Sequence, residues 1–303
     1  MGIKRTLHSI KRHGALLTMF LPAVAVYLVF CYTPMYGIII AFKDYKILSG
    51  ILGSEWVGLA NFNRAFANPD FFRVFGNTVI ISTYKLIFGF PAPILLAICL
   101  NELRNLAFKK TVQTISYMPH FISWVVLGGI FINFLSPSTG VINYAIKAFG
   151  GKPINFLADI RWFRTVLVTS SIWKSVGWSS VIYLAAISGV NTEMYDSAAI
   201  DGANRFKQII HVTLPSITQV IVIQFIFAVG SIVGDDFDQI FNLYNSTVYS
   251  VGDVLSTYVY RQGLEQMKYS YSTAVGIFRM SIAFMLILLT NAAAKRVSEY
   301  GLW

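Results

Sequence analysis

The sequence is poor in charge, in cysteine and in motifs that bind nucleotides or metals. Charged residues make up 13% of the 303 residues and hydrophobic ones 55%, a balance too apolar for a disordered chain or an ordinary soluble domain. The two cysteines, Cys31 and Cys99, lie in apolar runs, where packing is their expected role. Four scattered histidines lack metal-ligand spacing, and no G-x-x-x-x-G-K-[ST] phosphate loop occurs. We therefore predict a membrane protein that is not an enzyme, holds no metal or other cofactor and does not hydrolyse ATP by itself.

Long apolar runs dominate the chain instead. About 20 apolar residues are needed to span a bilayer. Six runs of about this length occur, at residues 15–42, 77–100, 111–135, 165–190, 214–234 and 272–294. They predict an all-α integral membrane protein with six transmembrane helices in one domain, 15–294, between tails at 1–14 and 295–303. No internal repeat or flexible linker divides this domain.

The net charge of +10 is distributed unevenly between alternate loops. Lys and Arg are about twice as dense in the segments that are cytoplasmic if the N-terminus is inside, so both termini and the loop 191–213 are expected on that side. Anionic membrane lipid is the expected counter-charge. No basic stripe interleaved with aromatic residues is present, so nucleic acid is not an expected partner.

The loop 191–213 contains two short amphipathic patterns that meet at Gly202. We expect Asn191 or Thr192 to cap the first helix, Gly202 to end it in the left-handed conformation, and Asp201 to cap the second helix. One face of the first helix carries Met194, Tyr195, Ala198 and Gly202, and its small residues would let another surface approach closely. The second pattern places apolar residues on one face and polar ones on the others, as in helices at a membrane surface. The apolar face carries Phe206, Ile209, Ile210 and Thr213, and the polar faces carry Arg205, Lys207, Gln208 and His211.

This loop resembles the signature of permease subunits of bacterial ABC importers, which reads E-A-A, three residues on D-G-A, and then L-P. The matching residues here are Asp196, Ser197, Ala198, Ala199, Asp201, Gly202, Ala203, Leu214 and Pro215. Asp196 stands where the family usually has Glu, and Ser197 where Ala is usual, but both keep the charge or the small size. The resemblance implies a coupling helix that sits in a groove of a separate ATPase subunit. The alternative is an ordinary amphipathic loop helix.

Shorter strings resemble the carbohydrate-importing members of the same family. They are Trp56, Val57, Gly58, Leu59, Asn61 and Phe62 in the first outer loop, Met118, Pro119 and His120 in the third run, and the ending Tyr300, Gly301, Leu302 and Trp303. The resemblance implies the type I ABC importer permease fold in a bacterial plasma membrane. It also implies a second homologous permease, two ATPase subunits that bind ATP and Mg, and an extracellular sugar-binding protein. Anchoring at the membrane interface is a plain alternative for the tryptophans.

Three cations lie inside the apolar runs, roughly 10 to 14 Å below the outer surface at 1.5 Å per residue: Lys85, Lys174 and Arg279. A charge near the bilayer centre costs at least about 3 kcal/mol, so such residues usually face a protein interior or an aqueous cavity. We rank Lys174 and Arg279 ahead of Lys85 as cavity residues, which would favour an acidic oligosaccharide that contains uronic acids. The alternatives are that they extend outward to water or pair with acids. The acids near the outer end of the fifth run are Asp235, Asp236 and Asp238.

Aromatic and amide side chains suited to a sugar ring surround these cations in the sequence. They are Trp178, Tyr183, Gln224, Tyr244, Asn245 and Tyr258, and Asp238 completes the candidate set for the substrate path. Packing or interface roles are the alternative for most of them. A permease for a neutral sugar or another solute also remains open. A secondary transporter fits less well because it would need an intramembrane carboxylate relay.

Overall fold

The computed structural model describes residues 14–234 and 237–298, and the described backbone is almost entirely helical. Among those residues, extended pairing is limited to a two-residue antiparallel ladder between β1 (Lys43–Asp44) and β2 (Glu55–Trp56). The all-α fold class predicted from the apolar runs is therefore confirmed.

The α-helices are numbered in chain order. They are α1 (Gly14–Tyr27), α2 (Gly50–Gly53), α3 (Ala60–Phe66), α4 (Pro69–Tyr84), α5 (Pro91–Glu102), α6 (Leu106–Tyr117), α7 (Trp124–Phe134), α8 (Val141–Ala148), α9 (Phe163–Ser188), α10 (Thr192–Ile200), α11 (Arg205–Gln208), α12 (Leu214–Ser216), α13 (Thr218–Gly230), α14 (Phe237–Leu243), α15 (Tyr249–Gly252), α16 (Leu255–Tyr260) and α17 (Tyr269–Ser298). Short π-helical segments cover Leu28–Tyr32, Lys85–Gly89, Ile209–Thr213 and Arg261–Glu265, and 3₁₀ segments cover Thr33–Phe42, Met118–Phe121, Ser231–Val233 and Ser246–Val248.

Membrane-length helices coincide with most of the predicted runs. Three continuous helices are long and apolar enough to cross a bilayer: Gly14–Phe42, Pro69–Glu102 and Tyr269–Arg296. Two more candidates are helix pairs bent at a short break, Leu106–Phe121 with Trp124–Phe134 at 105° and Arg205–Ser216 with Thr218–Val233 at 65°. The fourth run forms α9, whose 26 residues are long enough, at about 39 Å, but carry many polar side chains. The described residues thus give three to five candidate spans, and the count of six stays a prediction.

The sharp break in the third run follows from its local sequence. Pro119 lies in the first turn of a 3₁₀ segment that follows α6, and Ile122 has the extended backbone angles φ −83° and ψ 131°. Ser123 then starts a new helix, because its Oγ accepts a hydrogen bond from the Val126 amide at 3.4 Å. The two halves of the run therefore have separate ends with separate caps.

The chain packs as two compact units. The first comprises the described residues up to 65 together with 262–277. Within it, the Lys43 ammonium donates to the carbonyl oxygens of Ile51 (2.7 Å) and Ser54 (3.2 Å), and the Asn61 amide donates to the Ala41 carbonyl at 2.9 Å. These bonds close the loop around the β1–β2 ladder.

The second unit comprises the described residues of 66–261 together with 278–298, and α9 is its central element. One end of α9 enters a buried cluster of Ile81, Phe163, Leu167, Ile240, Leu243, Val248 and Val254. The other end enters a cluster of Ala97, Ile98, Tyr183, Ile187 and Ile217. Between them, Gly177 lets α6 approach the α9 backbone, since a Cβ atom there would lie 2.0 Å from the Ser116 carbonyl oxygen.

A buried polar network attaches the segment after α14 to α4 and α9. The fully buried Asp253 pairs with the Arg261 guanidinium, with Nη1 3.1 Å from Oδ1. Burial alone would lower the pKa of Arg261, but the hydrogen bond and the charge of Asp253 raise it above its usual value. Asn77 donates to the Asp253 carbonyl at 3.1 Å and accepts from the Arg164 guanidinium at 2.8 Å. The network satisfies charges that would otherwise destabilise the unit.

Candidate coupling segment and translocation cavity

The first helix of the 191–213 loop has the caps that the sequence predicts, but Tyr195 and Ala198, expected on the face open to another surface, are half-buried. The Asn191 Oδ1 atom accepts from the Glu193 amide at 3.0 Å and caps α10. Gly202 has φ +78°, the left-handed conformation expected at the residue after the helix end. The Ala203 amide donates to the Ala198 carbonyl at 2.9 Å and the Gly202 amide to the Ala199 carbonyl at 3.1 Å, the two bonds of a Schellman motif.

The second helix differs from the prediction in its cap and in its faces. Asn204, and not Asp201, caps it by accepting from the Lys207 amide at 2.9 Å. Gln208, expected on a polar face, is buried and donates to the Ala203 carbonyl at 3.2 Å, whereas Phe206 is 70% exposed. The π-helical turn from Ile209 to Thr213 accounts for the burial of Gln208, because its wider turn changes the angle between the residues before and after it, and Gln208 thereby shares the buried side of Thr213.

A direct contact packs the two helices together and decides which side of α10 faces outward. The Tyr195 hydroxyl lies 3.0 Å from the Thr213 Oγ1 atom, and Tyr195 and Ala198 are both half-buried. The outward side of α10 therefore carries Asp196, Ser197, Ala199 and Ile200. Among the other residues of the predicted coupling motif, Asp201, Gly202 and Pro215 are exposed, and Ala203 and Leu214 are half-buried. Since Ile200 is 87% exposed, this side combines small, acidic and apolar groups that are available to a partner.

A cavity of about 920 Å³ lies in the second unit, among four helical elements. The first element is residues 82–93, which run from α4 through the π turn into α5. The second is residues 171–183 of α9, the third is residues 224–234 at the end of α13 and in the turn after it, and the fourth is residues 279–283 of α17. Five of the predicted substrate-path residues line it: Lys85, Trp178, Tyr183, Gln224 and Arg279. Five serines add hydroxyl groups: Ser82, Ser171, Ser175, Ser179 and Ser231. The lining thus joins two cations, several aromatic rings and a row of hydroxyls.

Lys85 is held at the cavity wall by a buried glutamine. Its ammonium donates to the Oε1 atom of Gln239, which is 2% exposed. The Gln239 Nε2 group donates in turn to the Leu167 carbonyl at 2.7 Å and to the Ser170 hydroxyl at 2.8 Å. Sequence analysis did not include Gln239 among the substrate-path candidates, because its link to Lys85 and α9 depends on contacts between residues far apart in the chain.

Lys174 is not among the residues that line this cavity. Its ammonium donates to the carbonyl oxygens of Ile122 (2.6 Å), His120 (2.8 Å) and Pro119 (3.4 Å), and it lies 5.5 Å from the centre of the Trp124 ring. These carbonyls belong to the break between α6 and α7, where regular helical bonding is interrupted. The side chain therefore joins α9 to this break. Sequence analysis considered the cavity, an acidic partner and extension outward to water for this lysine, but not backbone carbonyls as its partners.

Trp178 offers an aromatic surface to the cavity. Its ring stacks on His120 with centroids 4.9 Å apart and planes 7° apart, and Phe121 meets it edge-on at 5.4 Å. The indole remains 47% exposed, so a sugar ring can still reach it. Tyr183, by contrast, is only 3% exposed and packs mainly in the second hydrophobic cluster.

The remaining substrate-path candidates are not among the residues that line this cavity, and three of them have other contacts. Asn245 donates to the Leu157 carbonyl at 2.9 Å, and the buried Tyr258 hydroxyl accepts from Asn68 at 3.2 Å. Tyr244 packs beside Tyr249, and burial raises its pKa to about 12, so its phenol stays protonated at neutral pH.

The acids near the end of the fifth run are only partly described. Asp238 is exposed in the first turn of α14, whereas Asp235 and Asp236 lie outside the described residues.

Within the described part of the chain, no cluster of three or more His, Cys, Asp or Glu residues has metal-binding geometry.

Comparisons of the sequence and the fold with known proteins identify the family of this chain. Residues 89–299 match the family of binding-protein-dependent transport system inner membrane components, and the chain belongs to that family. It is therefore a membrane-embedded permease subunit of a binding-protein-dependent ABC importer, with the type I fold, and is not itself an enzyme.

Individual relatives are similar over nearly the whole chain. The polygalacturonan/rhamnogalacturonan transport system permease protein YteP of Bacillus subtilis (strain 168) is 44% identical, with 99% of this chain and 94% of that protein covered. The arabinooligosaccharides transport system permease protein AraP of the same organism is 30% identical, with coverage of 89% and 85%. A chain in the crystal structure of a bacterial alginate ABC transporter, in complex with an alginate pentasaccharide-bound periplasmic protein, has a TM-score of 0.91 at 40% identity, with coverage of 98% and 100%.

Proposed function

We propose that this chain forms half of a pathway that imports acidic, uronic-acid-containing oligosaccharides across the bacterial plasma membrane. The observation that carries the proposal is that Lys85, Arg279 and the partly exposed Trp178 line one cavity. A cation can attract a carboxylate, and an indole can stack on a sugar ring, so the two together match a charged saccharide.

The size of the cavity and the names of the relatives support the same substrate class. About 920 Å³ lies near the upper end of the range of about 300–1,000 Å³ for ligand pockets, which suits an oligosaccharide better than a small ion. One relative is named for polygalacturonan, and a similar solved structure is described as an importer of the acidic polysaccharide alginate. Arabinooligosaccharides appear in the name of a less similar relative, so a neutral sugar is the alternative.

The rest of the assembly follows from the coupling segment. We infer that the outward side of α10 docks into one of two ATPase subunits, which bind ATP and Mg, and that this chain pairs with a second homologous permease. An extracellular sugar-binding protein delivers the substrate. This arrangement places residues 191–213 and both termini in the cytoplasm, as the distribution of Lys and Arg favours.

The test is uptake by proteoliposomes that contain the complete complex. The probes are trigalacturonate and its methyl-esterified form, which have the same sugar skeleton but differ in charge. We expect ATP-dependent uptake of the acid. We also expect Arg279→Met to reduce uptake of the acid by about tenfold more than uptake of the ester. Uptake of the ester alone would favour the neutral-sugar alternative, and uptake without ATP would contradict an ATP-driven importer.

A further inference from the structure

Gln239 lies behind the cavity wall and connects three parts of the second unit. It is the third residue of α14 and is 2% exposed. Through its side chain it contacts Leu167 and Ser170 on α9 and Lys85 at the start of the π turn after α4.

The orientation of this amide is determined by its partners. A primary amide has two N–H donors and one carbonyl acceptor. The Leu167 carbonyl can only accept, so it requires the Nε2 group on its side, 2.7 Å away. The Oε1 atom must then face Lys85, and a flipped amide would turn N–H donors toward the ammonium and an oxygen toward the Leu167 carbonyl.

The neutral charge of the Gln239 amide affects the electric field of Lys85 in the cavity as much as the orientation of the amide does. The amide accepts from Lys85 without adding a negative charge to this side of the cavity, whereas a glutamate of almost the same shape would add one. An opposite charge in direct contact reduces the field that a cation exerts on a third group, and the reduction is larger in a cavity than in bulk water.

We propose that Gln239 is a positioning residue that sets the charge preference of the permease by fixing the Lys85 ammonium at the cavity wall while staying neutral itself. This inference rests on the proposed import of acidic oligosaccharides. It assigns the selectivity for a carboxylate partly to a residue that does not touch the substrate.

The experiment compares uptake of trigalacturonate with uptake of its methyl ester in the complete complex that carries Gln239→Glu. We expect the acid-to-ester ratio to fall about tenfold relative to the unmutated complex. The same binding protein serves every variant, so its own preference cancels. Gln219→Glu, which adds the same charge at an exposed position of α13, is the matched control and should leave the ratio unchanged.

A second variant keeps the inference testable if a buried glutamate prevents assembly. Gln239→Met removes the acceptor without adding charge, and we expect it to lower the same ratio about threefold. In a Lys85→Met background the methionine should have no further effect on the ratio, because Gln239 acts through Lys85.

The possible failures have distinct signatures. An unmutated complex that takes up only the ester contradicts the proposed function itself. If the unmutated complex prefers the acid, but the ratio stays the same in Gln239→Met and in any Gln239→Glu complex that assembles, the positioning role is wrong and the proposed function stands. A further fall of the acid-to-ester ratio when Gln239→Met is added to Lys85→Met would also overturn the positioning role.

Discussion

Replacing Lys174 with methionine should destabilise the permease without changing its preference for charge. The ammonium makes two close hydrogen bonds, to the Ile122 and His120 carbonyls at 2.6 and 2.8 Å, at the break between α6 and α7. A hydrogen bond from a charged donor contributes about 1.5–3 kcal/mol. Methionine keeps most of the side-chain volume but cannot donate, so both carbonyls lose this partner. Part of the loss is offset because the charge no longer needs to be desolvated, which leaves a net cost of about 3 kcal/mol.

Two measurements test this expectation. The apparent Tm of the purified variant should fall by about 5 °C, compared with no change for Lys152→Met, where the lysine is exposed. Uptake of trigalacturonate and of its methyl ester should fall by the same factor, since Lys174 does not line the cavity. An unchanged Tm would refute the structural role, and a selective loss of the acidic substrate would show that Lys174 acts on the pathway.

Three further predictions concern coupling, topology and the buried ion pair. Ala199→Trp should reduce ligand-stimulated ATPase activity of the complex to its basal rate, because it adds bulk to the outward side of α10. Cysteine at Lys207 should be protected from an impermeant thiol reagent added outside intact cells, while cysteine at Leu48, which is fully exposed in the first unit, should react. Asp253→Asn should destabilise the permease by about 3–5 kcal/mol, measured by thermal unfolding, because the Arg261 charge loses its carboxylate partner.

Matched controls separate these effects from general damage. Lys110→Trp places the same bulk on another exposed helix and should keep full stimulation, so equal losses in both variants would count against the coupling role. Gly202→Trp is less suitable, because φ +78° strains any side chain there. Labelling of the Lys207 position from outside would overturn the topology. Asp70→Asn disrupts an exposed pair with Arg73 and should cost no more than about 1 kcal/mol, and a similar cost for Asp253 would contradict its structural importance.

Local features of the structure were largely predictable from the sequence. The cap at Asn191 and the left-handed Gly202 follow from preferences of single residues, so they appear as expected. The cap at Asn204 was missed because Asp201 and Asn204, three residues apart, both offer a side-chain oxygen that can cap a helix. The burial of Gln208 was missed because a π turn leaves no clear signature in the sequence.

What the sequence determined by itself was the class of protein: runs of apolar residues require a membrane, and intramembrane cations such as Lys85, Lys174 and Arg279 require polar surroundings. It did not determine which surroundings each cation has. Sequence analysis ranks Lys174 and Arg279 ahead of Lys85 as cavity residues. Arg279 does line the cavity, but so does Lys85, beside Gln239, whereas Lys174 lies at the carbonyls of a broken helix. That choice depends on the rotation of each helix about its axis and on where its neighbours break, and both are decided by contacts between residues far apart in the chain.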